Sequence, residues 1–307
     1  MNLKHLLTIM GALVLLLMVA CGQQSAGNRA PVKKRIGVTL LTREHQFYRD
    51  LEDGLQAAAK ELDYELIIQS GDFDLAKQQS QIENFITQKV DAIVVCPADS
   101  KGVAPAIGLA NAANIPVFTA DIKAQGGKVV SNIASNNVQG GRLAAEYIAK
   151  LLQDNGEVGI IGQPEVQSTI DREAGFREEI AKRPNMKIAG MVNGKGRRDD
   201  ALKAAEDLLQ GNPNIKAIFA INDDSALGAL SAAEARGRKD LIIIGYDATP
   251  EAVKAIKTGG PFKADIAQLP REMGAKTIAA IADLFSGKTP DPNIAIPVKI
   301  IDATNLP

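Results

Sequence analysis

An α/β protein built from two doubly wound parallel sheets is predicted by three observations. From Arg35 onward, short apolar runs alternate with longer amphipathic stretches. The alternation restarts at Gly156 after a long helical stretch. Counted along the chain, the runs are too many for one comfortable sheet and fit two similar halves. A chain of 307 residues has room for this, at about 130 residues per domain.

The first half opens with IGVTLL (36–41) and continues with ELIIQS (65–70), AIVVCP (92–97), PVFTAD (116–121) and VVSNIA (129–134). The second half gives EVGIIGQ (157–163), KIAGMVN (187–193), AIFAIN (217–222), LIIIGYD (241–247) and FKADIAQ (262–268). Runs this continuously apolar suit parallel strands covered by helices on both faces. The stretches between them, such as FYRDLEDGLQAAAKEL and VQGGRLAAEYIAKLL, carry apolar residues at spacings of three and four. That is one face of a helix. Strand, helix, strand repeated in this way builds a parallel sheet. In such sheets ligands lie just outside the carboxyl ends of the strands, so the residues there are the functional candidates.

The net charge of −1 gives no reason to expect a nucleic-acid partner. The amino terminus is a separate matter. Lys4 and His5 precede an apolar run from Leu6 to Ala20, of a length typical of a secretory signal and short for a membrane span. It ends in LMVAC, residues 17–21, which resembles a bacterial lipobox although Met18 stands where leucine is commoner. That resemblance implies cleavage before Cys21 and a lipid on its thiol; a plain signal peptide is the alternative. Residues 22–34 then read as a flexible tether. The expected location is extracytoplasmic, with the lipid as the membrane contact. The other cysteine, Cys96, is expected to be a buried, inert thiol with no disulfide partner.

At the strand ends the candidates are consistent in kind. His45, Phe47 and Tyr48 follow the first run, and Asp121 closes PVFTAD. A loop after GIIGQ leads to Asp171 and Arg172. Asn222 and Asp223 follow AIFAI, Asp247 follows LIIIGY, and Gln268 follows KADIA. The set holds carboxylates, amides, a guanidinium and two adjacent aromatics, but no nucleophile–base–orienter arrangement. No catalysis, metal or cofactor is therefore expected. Asp, Asn and Gln can bridge vicinal hydroxyls, Arg offers a planar fork of donors, and an aromatic face can cover the C–H face of a sugar ring. Simpler roles stand beside these. Asp171, Asp223 and Asp224 suit helix N-termini. His45 could be a helix-start surface residue, Phe47 and Tyr48 core, and Arg172 a surface ion pair. GKGRR (194–198) reads as a solvated loop.

The matching stretches FYRDLEDG, PVFTAD, IASNNVQGG, DREAGF, AINDDSALGAL, GYDATP and ADIAQLP, in this order, resemble the type I periplasmic sugar-binding family, with the ribose binders of ABC importers as its nearest branch. The resemblance runs from Arg35 to about Ile301. It implies two domains joined by three crossing segments, with ligand in the cleft between them. On that pattern the first domain takes 35–134 plus 268–298, and the second takes 135–267 plus 299–307. The family's ligand contacts fall on Phe47, Tyr48, Asp121, Arg172, Asn222, Asp247 and Gln268. His45 stands where ribose binders carry Asn, and Tyr246 where a cleft aromatic is common. Two positions depart: Ile122 replaces an Arg, and Gly196 falls near a missing aromatic.

The expected function is that of a monomeric solute-binding protein. It captures a monosaccharide or open-chain polyol and delivers it to an ABC permease; the alternative is a ligand-presenting sensor subunit. A dinucleotide-binding enzyme would need a glycine-rich turn after its first strand, and Leu41 to Gln46 contains no glycine. Repressors sharing this core need a helix-turn-helix ahead of it, where this chain carries the leader and tether.

Overall fold

The computed structural model describes residues 33–306. The leader with Cys21, and the tether up to residue 32, lie outside the described residues. Among the described residues no helix is long and apolar enough to cross a membrane.

The first sheet holds β1 (Arg35–Leu40), β2 (Glu65–Ser70), β3 (Ala92–Val95), β4 (Val117–Ala120), β5 (Asn132–Ser135) and β11 (Asn293–Ile296). Its order is β11-β5-β4-β3-β1-β2. The second holds β6 (Gly156–Gly162), β7 (Met186–Asn193), β8 (Ile215–Ala220), β9 (Ile242–Asp247), β10 (Phe262–Ala267) and β12 (Lys299–Asp302), ordered β12-β10-β9-β8-β6-β7. The two orders are the same pattern written twice. All neighbours run parallel except β12, which pairs antiparallel with β10. The central strands β3 and β4 are buried at every residue, as strands covered on both faces must be. The edge strands β2 and β7 are only partly covered.

Nine helices flank the sheets among the described residues: α1 (Gln46–Glu61), α2 (Leu75–Thr87), α3 (Ala104–Ala112), α4 (Asn137–Leu152), α5 (Gln167–Ile180), α6 (Arg198–Gly211), α7 (Asp223–Ala235), α8 (Pro250–Thr258) and α9 (Pro270–Phe285). Their starts are written in the sequence. Asp74, Asn136, Asn222 and Thr249 each accept a backbone N–H with their side chains, satisfying a donor the helix would leave free. Pro250 and Pro270 occupy first-turn positions, where a missing N–H costs nothing.

The chain passes between the sheets three times: after β5, after β10, and in the short link from β11 to β12. In each sheet the strand order reverses at one place, between β1 and β3 in the first and between β6 and β8 in the second. Those two switch points, where loops diverge above and below a sheet, face one another across a cleft.

Candidate ligand-binding site

A small, largely polar cavity lies between the lobes and is lined by residues from both. The first lobe brings His45, Phe47 and Tyr48 from the start of α1, and Asp121 and Ile122 from the end of β4. The second brings Arg172 from α5, Asn222 from the α7 cap and Asp247 from the end of β9. Gln268 comes from the crossing after β10.

Asp121 sits at φ +66°, a left-handed conformation that Asp tolerates better than most residues. Its Oδ2 accepts a hydrogen bond from the Tyr48 hydroxyl at 2.6 Å. Its Oδ1 is buried with no partner in the chain. Burial raises its pKa, against the pull of the Arg172 guanidinium and the Tyr48 hydrogen bond. Tyr48 and Phe47 meet edge to face at 5.1 Å and belong to the first lobe's core as well as to the cavity wall. Both rings therefore serve the core and line the cavity at once.

Arg172 is only 4% exposed. Nε donates to Asn137 Oδ1 at 2.8 Å, and Nη1 to the Ile221 carbonyl at 2.6 Å. The guanidinium lies 3.8 Å above the Tyr246 ring, which fixes its plane. A guanidinium has five N–H donors, so these bonds leave donors for the cavity. Here the structure corrects an expectation. Tyr246 is completely buried and does not line the cavity; it is the platform beneath Arg172. Its strand position turns the ring into the second lobe's core, and only Asp247, the next residue, faces the cleft.

Asp247 accepts from Gln268 Nε2 at 2.6 Å, which leaves Gln268 Oε1 buried and unpartnered. Burial, then the neighbouring Asp223 carboxylate, pushes the Asp247 pKa well up. Asn222 has two local duties: Oδ1 caps α7 through the Ser225 N–H at 2.9 Å, and Nδ2 donates to the Gly196 carbonyl at 2.9 Å. Half of its hydrogen-bonding capacity is thus structural.

His45 closes one side. Its Nε2 stands 3.4 Å from Asp224 Oδ2 on the opposite lobe. Burial lowers its pKa, while Asp224, Glu44 and the Gly196 carbonyl push the other way. The simpler alternative of a surface residue is not what is found: His45 is largely buried and lines the cavity. Asp171 accepts from Gln167 Nε2 one turn earlier and does not line the cavity. Asp223 is buried behind it. Cys96 is fully buried, and burial pushes its thiol well up, which disfavours the reactive thiolate.

Sequence reasoning did not single out Gln163, which directly follows β6 at the second lobe's switch point. It lines the cavity and is largely buried. At Gly196, φ is +66° and an added Cβ would come within 2.4 Å of Gln163 Oε1. The space where an aromatic was missed is therefore partly taken by this amide. The signal that could have found it was its place at the end of EVGIIGQ. Val166 was also not singled out: it belongs to the second lobe yet packs into the first lobe's apolar core. Beside it the Ser100 N–H donates to the Glu165 carbonyl at 3.0 Å, and the Gln167 N–H donates to Ser100 Oγ at 2.8 Å. The Arg197 guanidinium, from the loop expected to be solvated, lies 4.4 Å from the Phe73 ring centre across the cleft.

Two stacked α/β lobes with identical strand order, and a polar cavity between their switch points, define a two-lobed binding protein. Residues 36–289 match the periplasmic binding protein domain family. The ribose import binding protein RbsB of Bacillus subtilis (strain 168) is 33% identical over 306 residues, covering 97% of this chain and 98% of that protein. The D-apiose import binding protein of Actinobacillus succinogenes is 34% identical over 235 residues, 75% of this chain and 76% of its own. A solved ABC transporter solute-binding protein from Mycobacterium smegmatis with bound glycerol superposes with a TM-score of 0.84 at 30% identity, covering 89% of this chain and 96% of that one. The chain belongs to the type I periplasmic sugar-binding protein family.

Proposed function

We propose that this protein captures one monosaccharide or small polyol between its lobes and delivers it to an ABC importer. The observation that carries this is the convergence of unpaired, buried groups on one cavity. Asp121 Oδ1 comes from the first lobe, Gln268 Oε1 from a crossing segment, and free guanidinium donors from Arg172 in the second. Hydroxyls both donate and accept, so a polyol satisfies all three kinds. A missing hydroxyl would leave one unpaired at a cost of about 1–3 kcal/mol. The three crossings serve as the hinge about which the lobes part and close. His45, Phe47, Tyr48, Asn222 and Asp247 complete the contact set, and Gln163 joins them.

Relatives named for ribose and D-apiose import, and a relative solved with glycerol, bracket the ligand's size. Ile122 lines the wall where ribose binders carry an Arg, so that wall lacks a fork of donors. The ligand therefore shares one end with a pentose and differs at the other. A thermal-shift screen across pentoses, hexoses, tetritols, pentitols and inositols tests this. One clear stabiliser other than ribose is expected; ribose as the tightest ligand would show that Ile122 was given too much weight, and no stabiliser at all would remove the sugar reading.

The role is binding without turnover, as a monomer tethered outside the cytoplasm through a lipid on Cys21. The LMVAC stretch supports the tether. Intact mass of the native protein is expected to show a diacylglyceryl-modified Cys21 as the first residue; an unmodified Cys21 in the mature chain contradicts it.

A further inference from the structure

Three carboxylates meet behind the cavity wall nearest the crossing after β10. Asp223 is the first residue of α7, Asp265 lies within β10, and Asp247 ends β9. Asp223 is 2% exposed and Asp265 is fully buried. Asp223 Oδ2 accepts the Thr249 N–H at 2.7 Å, and Asp265 Oδ1 accepts the Ala248 N–H at 3.3 Å. The other oxygen of each, Asp223 Oδ1 and Asp265 Oδ2, is buried without an N–H or hydroxyl partner. Both stand over Gly245, where a Cβ would meet them at 2.8 and 3.0 Å. Glycine is needed there because the Phe262 ring, at 2.6 Å from that position, and the two oxygens together fill the space a side chain would take.

Two buried carboxylates this close cannot both stay ionised; one proton turns their repulsion into an O–H···O hydrogen bond. Among the described residues no cation is a leading influence on either carboxyl. Arg172 acts on Asp247, and Arg198 of α6 is engaged with Asp224 and Glu251. From the strand beyond, the residue registered opposite Asp265 is Ile301. What the pair holds is also unusual. Asp247 at φ 126° and Ala248 at φ 60° form a turn in conformations that L-residues rarely adopt. The two carboxylates grip this turn by its next two amides.

We propose that Asp223 and Asp265 are positioning residues that share one proton, and that this proton holds the turn after β9 in the shape that presents Asp247 to the ligand. The proposal rests on the sugar-site reading of the cavity. Burial, then the Asp265 charge, pushes Asp223 well above the ordinary carboxylate range; burial pushes Asp265 up to about 7, helped by the Asp247 charge and opposed by the hydrogen bond with Asp223. Once Asp265 is ionised the pair holds the one proton left on Asp223; when rising pH removes that proton as well, two anions repel across Gly245 and the turn loosens. Ligand affinity then falls as pH rises.

The test uses the full chain, first without sugar. Infrared difference spectra between about pH 6 and pH 9 should show a protonated carboxyl that titrates away, and Asp265→Asn should lack that component. Asparagine keeps the shape, and its amide donates to Asp223 without a titrating proton. Hydrogen exchange at Ala248 and Thr249, corrected for intrinsic rate, should accelerate about tenfold over that range in wild type and stay constant in Asp265→Asn. With D-ribose, D-apiose and myo-inositol as calorimetric probes, each one that binds wild type should lose roughly fivefold in affinity from about pH 6 to pH 9, with a flat profile in Asp265→Asn. A carboxyl band identical in both proteins, or exchange at 248–249 independent of pH in wild type, overturns the proposal. If none of the three sugars binds, the sugar reading fails, and the infrared and exchange results still decide the pair.

Discussion

Tyr48 and Asp121 meet directly in the cavity wall, the phenol donating to the carboxylate at 2.6 Å. Tyr48→Phe would leave Asp121 with both oxygens buried and unpaired. A loss of about 1–3 kcal/mol in folding stability is expected, read by denaturant unfolding at neutral pH; an unchanged midpoint would mean that water replaces the hydroxyl. Residues such as Asp121, Asp247 and Gln268 were legible in the sequence because each stands alone at the end of an apolar run. A polar group there has little to do but face the cleft. Asn222 was equally legible as a position, but its use as both cap and carbonyl partner was not. The same side chain suits a ligand, a helix start and a neighbouring loop, and only coordinates say which neighbours are in reach. Tyr246 was misplaced by one residue's worth of geometry: alternation along β9 turns it inward and Asp247 outward.

The helices hold this site through their closest approaches. On α5, Gly175 lies so near α4 that a Cβ would come within 2.0 Å of the Val138 carbonyl, and Gly141 on α4 would meet the Arg172 carbonyl at 1.9 Å. The two glycines let the helices touch, and that contact sets where Arg172 points. Gly175→Ala must push α5 away from α4. Overpacking of this kind costs about 1–3 kcal/mol, and ligand affinity should fall with stability because Arg172 moves. Thermal unfolding together with sugar titration checks it; a stable variant with full affinity would show that the helix pair adapts. Ten of the strands were visible as apolar runs. β11 and β12 were not, because NIAI and KIID are four residues each, half exposed, and set off by prolines. Strands that are half exposed as well as short carry too little apolar signal to be told from a loop, whereas the equally short β3 and β4 are almost wholly apolar and fully buried. β11 and β12 matter nonetheless, since the link between them is the third crossing.

Across the whole molecule, contacts between the lobes surround the cavity. Val166 in the opposite core, the Ser100 N–H on the Glu165 carbonyl, Arg197 over Phe73 and His45 beside Asp224 all bridge the cleft. None of these pairings was readable from sequence, because each joins loops from different halves of the chain. They define a closed arrangement, in which a ligand in the cavity would be held from both sides and its affinity would depend on both lobes at once. The direct measurement is a calorimetric titration of the tightest sugar from the screen into wild type, Asp121→Asn and Asp247→Asn. One site per chain is expected, and each substitution should weaken binding about tenfold or more, since each leaves a hydroxyl of the ligand and a buried group mismatched. Wild-type affinity retained in either variant would mean that the sugar is held by one lobe alone, and would contradict a site formed between two.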